Sequence, residues 1–105
     1  SYLIRINNLA KDSKVTEIRE DLLETDLEKN FYEEISSLED LGLASSADYK
    51  KELENIQATN LIGNDYLDNT MINVDNEEVK NNRLAMLNSL KERMAKIFDI
   101  SEIVR

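Results

Sequence analysis

An all-α fold, a small bundle of three or four antiparallel helices with short connectors, is predicted by three observations. Proline is absent, and the only glycines are Gly42 and Gly63. Tight hairpins reach positive φ most readily through glycine, so this scarcity argues against a sheet and suits long helices joined by few turns. Residues 75–98 carry a helical apolar period in Val79, Met86, Leu90, Met94 and Ile97, with Leu87 and Phe98 widening the stripe. Finally, 41% of the chain is hydrophobic, too much for a disordered chain and enough for one small core. We expect residues 1–105 to form a single helical domain excised from a longer chain, since it begins at Ser1 and stops abruptly after Arg105.

Residues 2–10 read as a short apolar helix or ordered arm, with Leu3, Ile4, Ile6 and Leu9 on one broad side. It is too short to stand alone in water. Beyond Ser13, the series Val15, Ile18, Leu22, Leu27, Phe31, Ile35 and Leu38 keeps helical phase, and the reading we favour is one long helix over residues 15–41. The alternative is a break at Thr25, which forms a capping box with Glu28. Gly42 would then stop the helix in the left-handed region, with Leu43 making the accompanying contact.

Ser45 and Asp48 cap a third helix carrying Tyr49, Leu53 and Ile56, which is expected to end between Ala58 and Ile62, ahead of Gly63. Residues 63–74 are the least helical stretch, because their Asn, Asp and Thr side chains compete for local backbone bonds. We expect a partly ordered loop there with at most one helical turn. Asp75 and Glu78 form a capping box for the last helix, whose Lys91, Arg93 and Lys96 would complement the dipole at its far end. Residues 99–104 extend that helix or fray. The apolar surplus at the two termini either closes the core or continues into an interface.

The composition excludes most catalytic chemistry. With no cysteine and no histidine, there is no disulfide framework, no thiol or serine–histidine nucleophile and no Glu-x-x-His metal site. Asp65, Asp68, Asn69 and Asp75 lack the glycine and terminal glutamate of a calcium loop and read as turn formers. Carboxylate pairs such as Glu17 with Asp21, Glu20 with Glu24 and Glu24 with Glu28 fall opposite the apolar stripe, as a solvated face does. No glycine-rich phosphate loop is present. No catalytic residue, cofactor or metal ion is therefore expected, and the chain is not expected to be an enzyme on its own.

Charge points to the class of partner. The net charge is −9, and residues 13–42 hold ten acids against three bases. Bases converge only on the last helix, where Lys80, Arg83, Lys91, Arg93 and Lys96 flank the stripe as if to reach the acidic helix. Nucleic acid is therefore disfavoured. No apolar run is long enough for a membrane span, and an intracellular location, cytoplasm or nucleus, is expected.

The leading expectation is a non-catalytic interaction or assembly module. Its partner would be another protein or the rest of the parent chain, presenting a basic or apolar helical surface, and a homo-oligomer is compatible. An acidic face of Glu17, Glu20, Asp21, Glu24, Glu28 and Glu34 would steer that partner. Phe31, Tyr32, Tyr66, Leu87 and Phe98 would anchor it. The alternatives are an acidic mimic of nucleic acid that inhibits a basic partner, and a helical accessory domain of an enzyme whose active site lies outside this segment.

Overall fold

A computed structural model describes residues 2–11, 13–38 and 44–104, with side chains as far as residue 97. These residues form helices α1 (Tyr2–Ala10), α2 (Asp26–Ser36), α3 (Ser46–Ala58), α4 (Asn60–Asn69) and α5 (Glu77–Val104), plus a 3-10 turn at Glu20–Leu22. No strand occurs among the described residues. The all-helical class holds, with five helices among the described residues where three or four were expected.

The organising element is α5, 28 residues long. At about 1.5 Å per residue it accounts for the whole 41 Å long axis of the molecule. Helices α1, α2 and α3 all pack on it, α1 most extensively. Met86, Leu87, Leu90, Met94 and Ile97 supply its core face and meet Tyr2, Ile6, Phe31, Ile56 and Tyr66. The N-terminal apolar residues thus close the core, with Tyr2, Ile6 and Ala10 buried. From Val79 to Ile97 the stripe read from the sequence is the buried face of this helix.

The single helix expected over residues 15–41 does not form. Thr25 is a true N-cap, its side chain accepting from the Glu28 amide at 3.1 Å, and Glu28 Oε1 accepts from the Glu24 amide at 2.8 Å. Upstream, the backbone is extended until the 3-10 turn and runs along α5. The Lys91 ammonium donates to Ala10 O and Ser13 O, Asn88 Nδ2 to Val15 O, and Asn82 Nδ2 to Arg19 O. As the residue number rises along this strap, its partner on α5 falls from 91 to 82.

After the strap the chain turns back. Glu28 meets Arg83, and Leu38 O, beyond the end of α2, accepts from Arg93, so α2 follows α5 in the same direction. Helices α1 and α4 also advance together, from Tyr2 on Thr59 to Arg5 on Asn64 and Asp68. The antiparallel pairing expected of the acidic and C-terminal helices is therefore absent, because the extended strap makes the return pass. The expected end of the long helix at residues 39–41, and the Gly42–Leu43 stop, lie outside the described residues.

Three further expectations are corrected. Helix α3 ends at Ala58, within the expected bounds, but the stretch expected to be a loop from Gly63 is mostly helical, with Gly63 buried inside α4. A Cβ there would fall 2.1 Å from the Tyr2 hydroxyl, so the bare backbone is what lets α1 seat against α4. The cap of α5 is Asn76, whose Oδ1 accepts from Glu78 N at 3.0 Å and Val79 N at 3.3 Å; its amides turn toward this nearer carboxamide and not toward Asp75. Because α5 runs on to Val104, Lys91 and Arg93 sit in its interior. Their cations instead meet carbonyls at the C-terminal end of α1 and just beyond that of α2. The Ser45–Asp48 capping box forms as read, and hydrogen bonds from the Ala44 and Ser45 amides hold the Asp48 carboxyl below its ordinary range.

Candidate functional site

Where α2, α4 and α5 converge, one buried cluster ties them together. Glu28 is fully buried, and its Oε2 accepts from Arg83 Nε at 2.7 Å and from the Tyr66 hydroxyl at 2.9 Å. Arg83 spends its other donors on Glu24 Oε1 at 2.8 Å and Met71 O at 2.7 Å. This planar fork spreads its donors over two carboxylates and a loop carbonyl at once, a wider reach than the compact ammonium of a lysine. The Tyr66 ring stacks on Phe31 with centroids 4.7 Å apart. A second pair, Arg93 with the buried Glu52 at 2.8 Å, ties α3 to α5.

Burial pushes the Tyr66 phenol well above its usual range, and the negative charge of Glu28 adds to the shift. The unfolded chain gives up this proton near pH 10 while the folded chain keeps it, so its contribution to stability is lost as pH rises above about 10. Tyr66→Phe is expected to flatten the alkaline loss of stability by up to about 1.4 kcal/mol per pH unit between pH 10 and 11. Urea titrations at each pH measure it; an unchanged slope would mean that the phenol does not stay protonated inside the fold.

These contacts place the residues expected to bind a partner. Glu17 lies in the strap, Glu20 and Asp21 in the 3-10 turn, and Glu28 and Glu34 on α2, so the acids do not share one helix face. Glu20 accepts from the Tyr32 hydroxyl, Asp21 pairs with Arg19, and Glu24 and Glu28 turn to Arg83. Phe31, Tyr66 and Leu87 are buried in the core, while Tyr32 and Glu34 are half-buried at the surface. The side chain of Phe98 lies outside the description. Of the residues weighed as a calcium loop, Asp68 pairs with Arg5 and Asp65 accepts from Asn69. No cluster of acids suited to a metal ion occurs among the described residues.

A different surface collects chemistry. Between α1, the end of α4 and α5 lies a cleft of about 620 Å³ floored by Leu9, Leu67, Ile72 and Leu84. It continues into a second hollow of about 360 Å³ that shares Leu9, Lys80 and Leu84 and is walled by Ser13, Lys14 and Val15 of the strap. Among the described residues, the charged side chains lining the two are Arg5, Lys14 and Lys80, with no acid. Asn8, Asn73 and Asn81 add hydrogen-bonding amides. Asp68 partly neutralises Arg5 at 2.9 Å, whereas Lys14 and Lys80 have no ion pair among the described residues. The linear order of residues does not reveal this groove; its one local signal is that residues 1–16 contain three bases and a single acid.

The chain resembles a piece of a glycine–tRNA ligase β subunit. It is 32% identical over 105 residues to that subunit from Leuconostoc citreum and 40% identical over 103 residues to that from Streptococcus agalactiae. The corresponding protein of Desulforamulus reducens is 32% identical over 102 residues. These matches cover 99%, 93% and 95% of this chain but only 15%, 14% and 15% of the relatives' own length. No family model matches the chain, and no solved structure does. Among the described residues no helix is long and apolar enough to cross a membrane.

Proposed function

We propose that this chain is a helical accessory domain of a glycine–tRNA ligase β subunit, one that contacts RNA through the groove between α1 and α5 while the catalytic groups lie elsewhere in the full protein. The observation that carries this reading is the segregation of charge. In a chain of net charge −9, the charged side chains that line the groove among the described residues are Arg5, Lys14 and Lys80. A phosphate backbone is attracted to such a strip, and the apolar floor suits the flat face of an unpaired base. The resemblance to a tRNA ligase subunit supplies the nucleic acid that the overall charge alone disfavours.

The groove is a positioning surface, and three cations give only modest affinity against the repulsion of the remaining charge. The rest of the parent subunit is the natural second partner. Leu61 and Met71, 85% and 70% exposed, offer apolar contact for packing on it. The acid-mimic reading has less support, since Glu24 and Glu28 point toward Arg83.

Titration of a labelled tRNA into the chain at several salt concentrations tests this. Lys14→Glu with Lys80→Glu should abolish binding. Each single lysine-to-alanine change should lower the salt slope by about 0.7 to 0.9, the loss of one phosphate contact. Equal affinity in the double variant, or no binding by the parent chain, would overturn the groove reading.

A further inference from the structure

The strap, residues 13–19, is attached in an unusual way. Its Val15 carbonyl and both Arg19 backbone groups bond to the Asn88 and Asn82 side chains of α5, and Ser13 O bonds to Lys91. The backbone–backbone bonds nearby belong to its two ends, Ser13 to Ala10 and Leu22 to Arg19. Its own side chains add modest contacts: Ile18 packs half-buried on the core edge, and Ser13 Oγ accepts from Asn88 Nδ2 at 3.0 Å. Exposed Arg19 pairs with exposed Glu78 at 3.6 Å, while Lys14, Thr16 and Glu17 are exposed. The attachment is also unsaturated, because Asn88 Oδ1 is buried with no hydrogen-bond partner. An orphaned acceptor of this kind gains hydration when the strap lifts. Segments with few buried contacts and no ladder of their own open locally while the core stays folded.

The same strap walls the groove. Lys14 and Val15 face the hollow that Lys80 and Leu84 line from α5. We propose that residues 13–19 are a hinged strap that opens as a unit while the helices stay folded, and that a phosphate backbone spanning Lys14 and Lys80 holds it shut. This rests on the groove reading for its ligand. The device couples occupancy of the groove to order in the segment leading into α2, because Asn82 grips Arg19 while its neighbour Arg83 grips Glu24 and Glu28.

Site-resolved hydrogen exchange by NMR on the 105-residue chain, alone and with single-stranded oligouridylate, tests it, with binding followed separately by anisotropy. In the free chain the Arg19 amide, although hydrogen-bonded, should exchange at least about 100-fold faster than those of Leu87 and Leu90. Asn82→Ala should quicken it by roughly a further tenfold and leave the α5 amides unchanged. Oligouridylate at ten times its dissociation constant should slow the Arg19 amide about tenfold, since only the closed state presents both lysines. Lys14→Glu should remove that slowing. Exchange of Arg19 at the rate of the α5 amides would overturn the opening, and binding without slowing would overturn the coupling. An oligonucleotide that does not bind would overturn the groove reading and the locking with it, while the free-chain rates judge the opening separately.

Discussion

Arg83→Met is expected to destabilise the domain by about 3–5 kcal/mol, the cost of leaving a buried charge without its partner. Glu28 is 0% exposed, and Arg83 approaches it at 2.7 Å with a side chain only 7% exposed. Glu24, at 57% exposure, keeps water as an alternative and contributes little. The penalty therefore sits on Glu28, and removing that charge as well should relieve it. Arg83→Met combined with Glu28→Leu and Tyr66→Phe replaces the cluster by apolar groups of similar size and should recover most of the loss. Urea unfolding followed by circular dichroism decides the matter. A single variant within about 1 kcal/mol of the parent would mean that water already reaches Glu28.

The second large effect is at Gly63. In an ordinary helix interior, Gly→Ala gains about 1 kcal/mol. Here the added methyl would fall 2.1 Å from the Tyr2 hydroxyl and 2.5 Å from two of its ring carbons, and Tyr2 cannot retreat without breaking its 2.8 Å bond to Thr59 Oγ1. Gly63→Ala should therefore destabilise by about 1–3 kcal/mol, in the range of overpacked cores. In a Tyr2→Leu background, which lacks the far end of the ring, the same change should be neutral or stabilising. Thermal unfolding of the four proteins in this double-mutant cycle measures the coupling directly. Equal effects in both backgrounds would show that the tyrosine does not set the packing distance.

How much of this was legible differs from element to element, and the differences are physical. The apolar stripe of α5 was read correctly because a residue periodically placed on a long helix has few alternatives. The Ser45–Asp48 cap was equally local and equally readable. The break before Thr25 was not, although its capping box was visible. An unbroken apolar period over residues 15–38 favoured continuity, and what defeats it is non-local: Asn82, Asn88 and Lys91 capture the backbone from more than sixty residues away. Helix α4 was missed for a related reason. Its Asn, Asp and Gly residues argue for a turn, and only the Tyr2 contact reveals why a glycine belongs inside it. Of the flanking bases of α5, Arg83 pairs with Glu24 and Glu28 as expected, whereas Arg93 pairs with Glu52 of α3 and Lys91 turns to backbone carbonyls. The groove was invisible because its cations come from three separate segments whose juxtaposition depends on that strap.

The manner in which α5 grips the strap divides the chain into positions of unequal evolutionary freedom. Carboxamides that recognise carbonyl and amide groups are indifferent to what those backbone units carry, so residues 16 and 17 can drift through many side chains without loosening the fold. The burden of specification passes instead to Asn82 and Asn88, where even a change to aspartate or serine would remove a donor or shorten the reach. A descendant could thus acquire new chemistry on the outer edge of this segment by substitution alone, with its anchoring inherited intact.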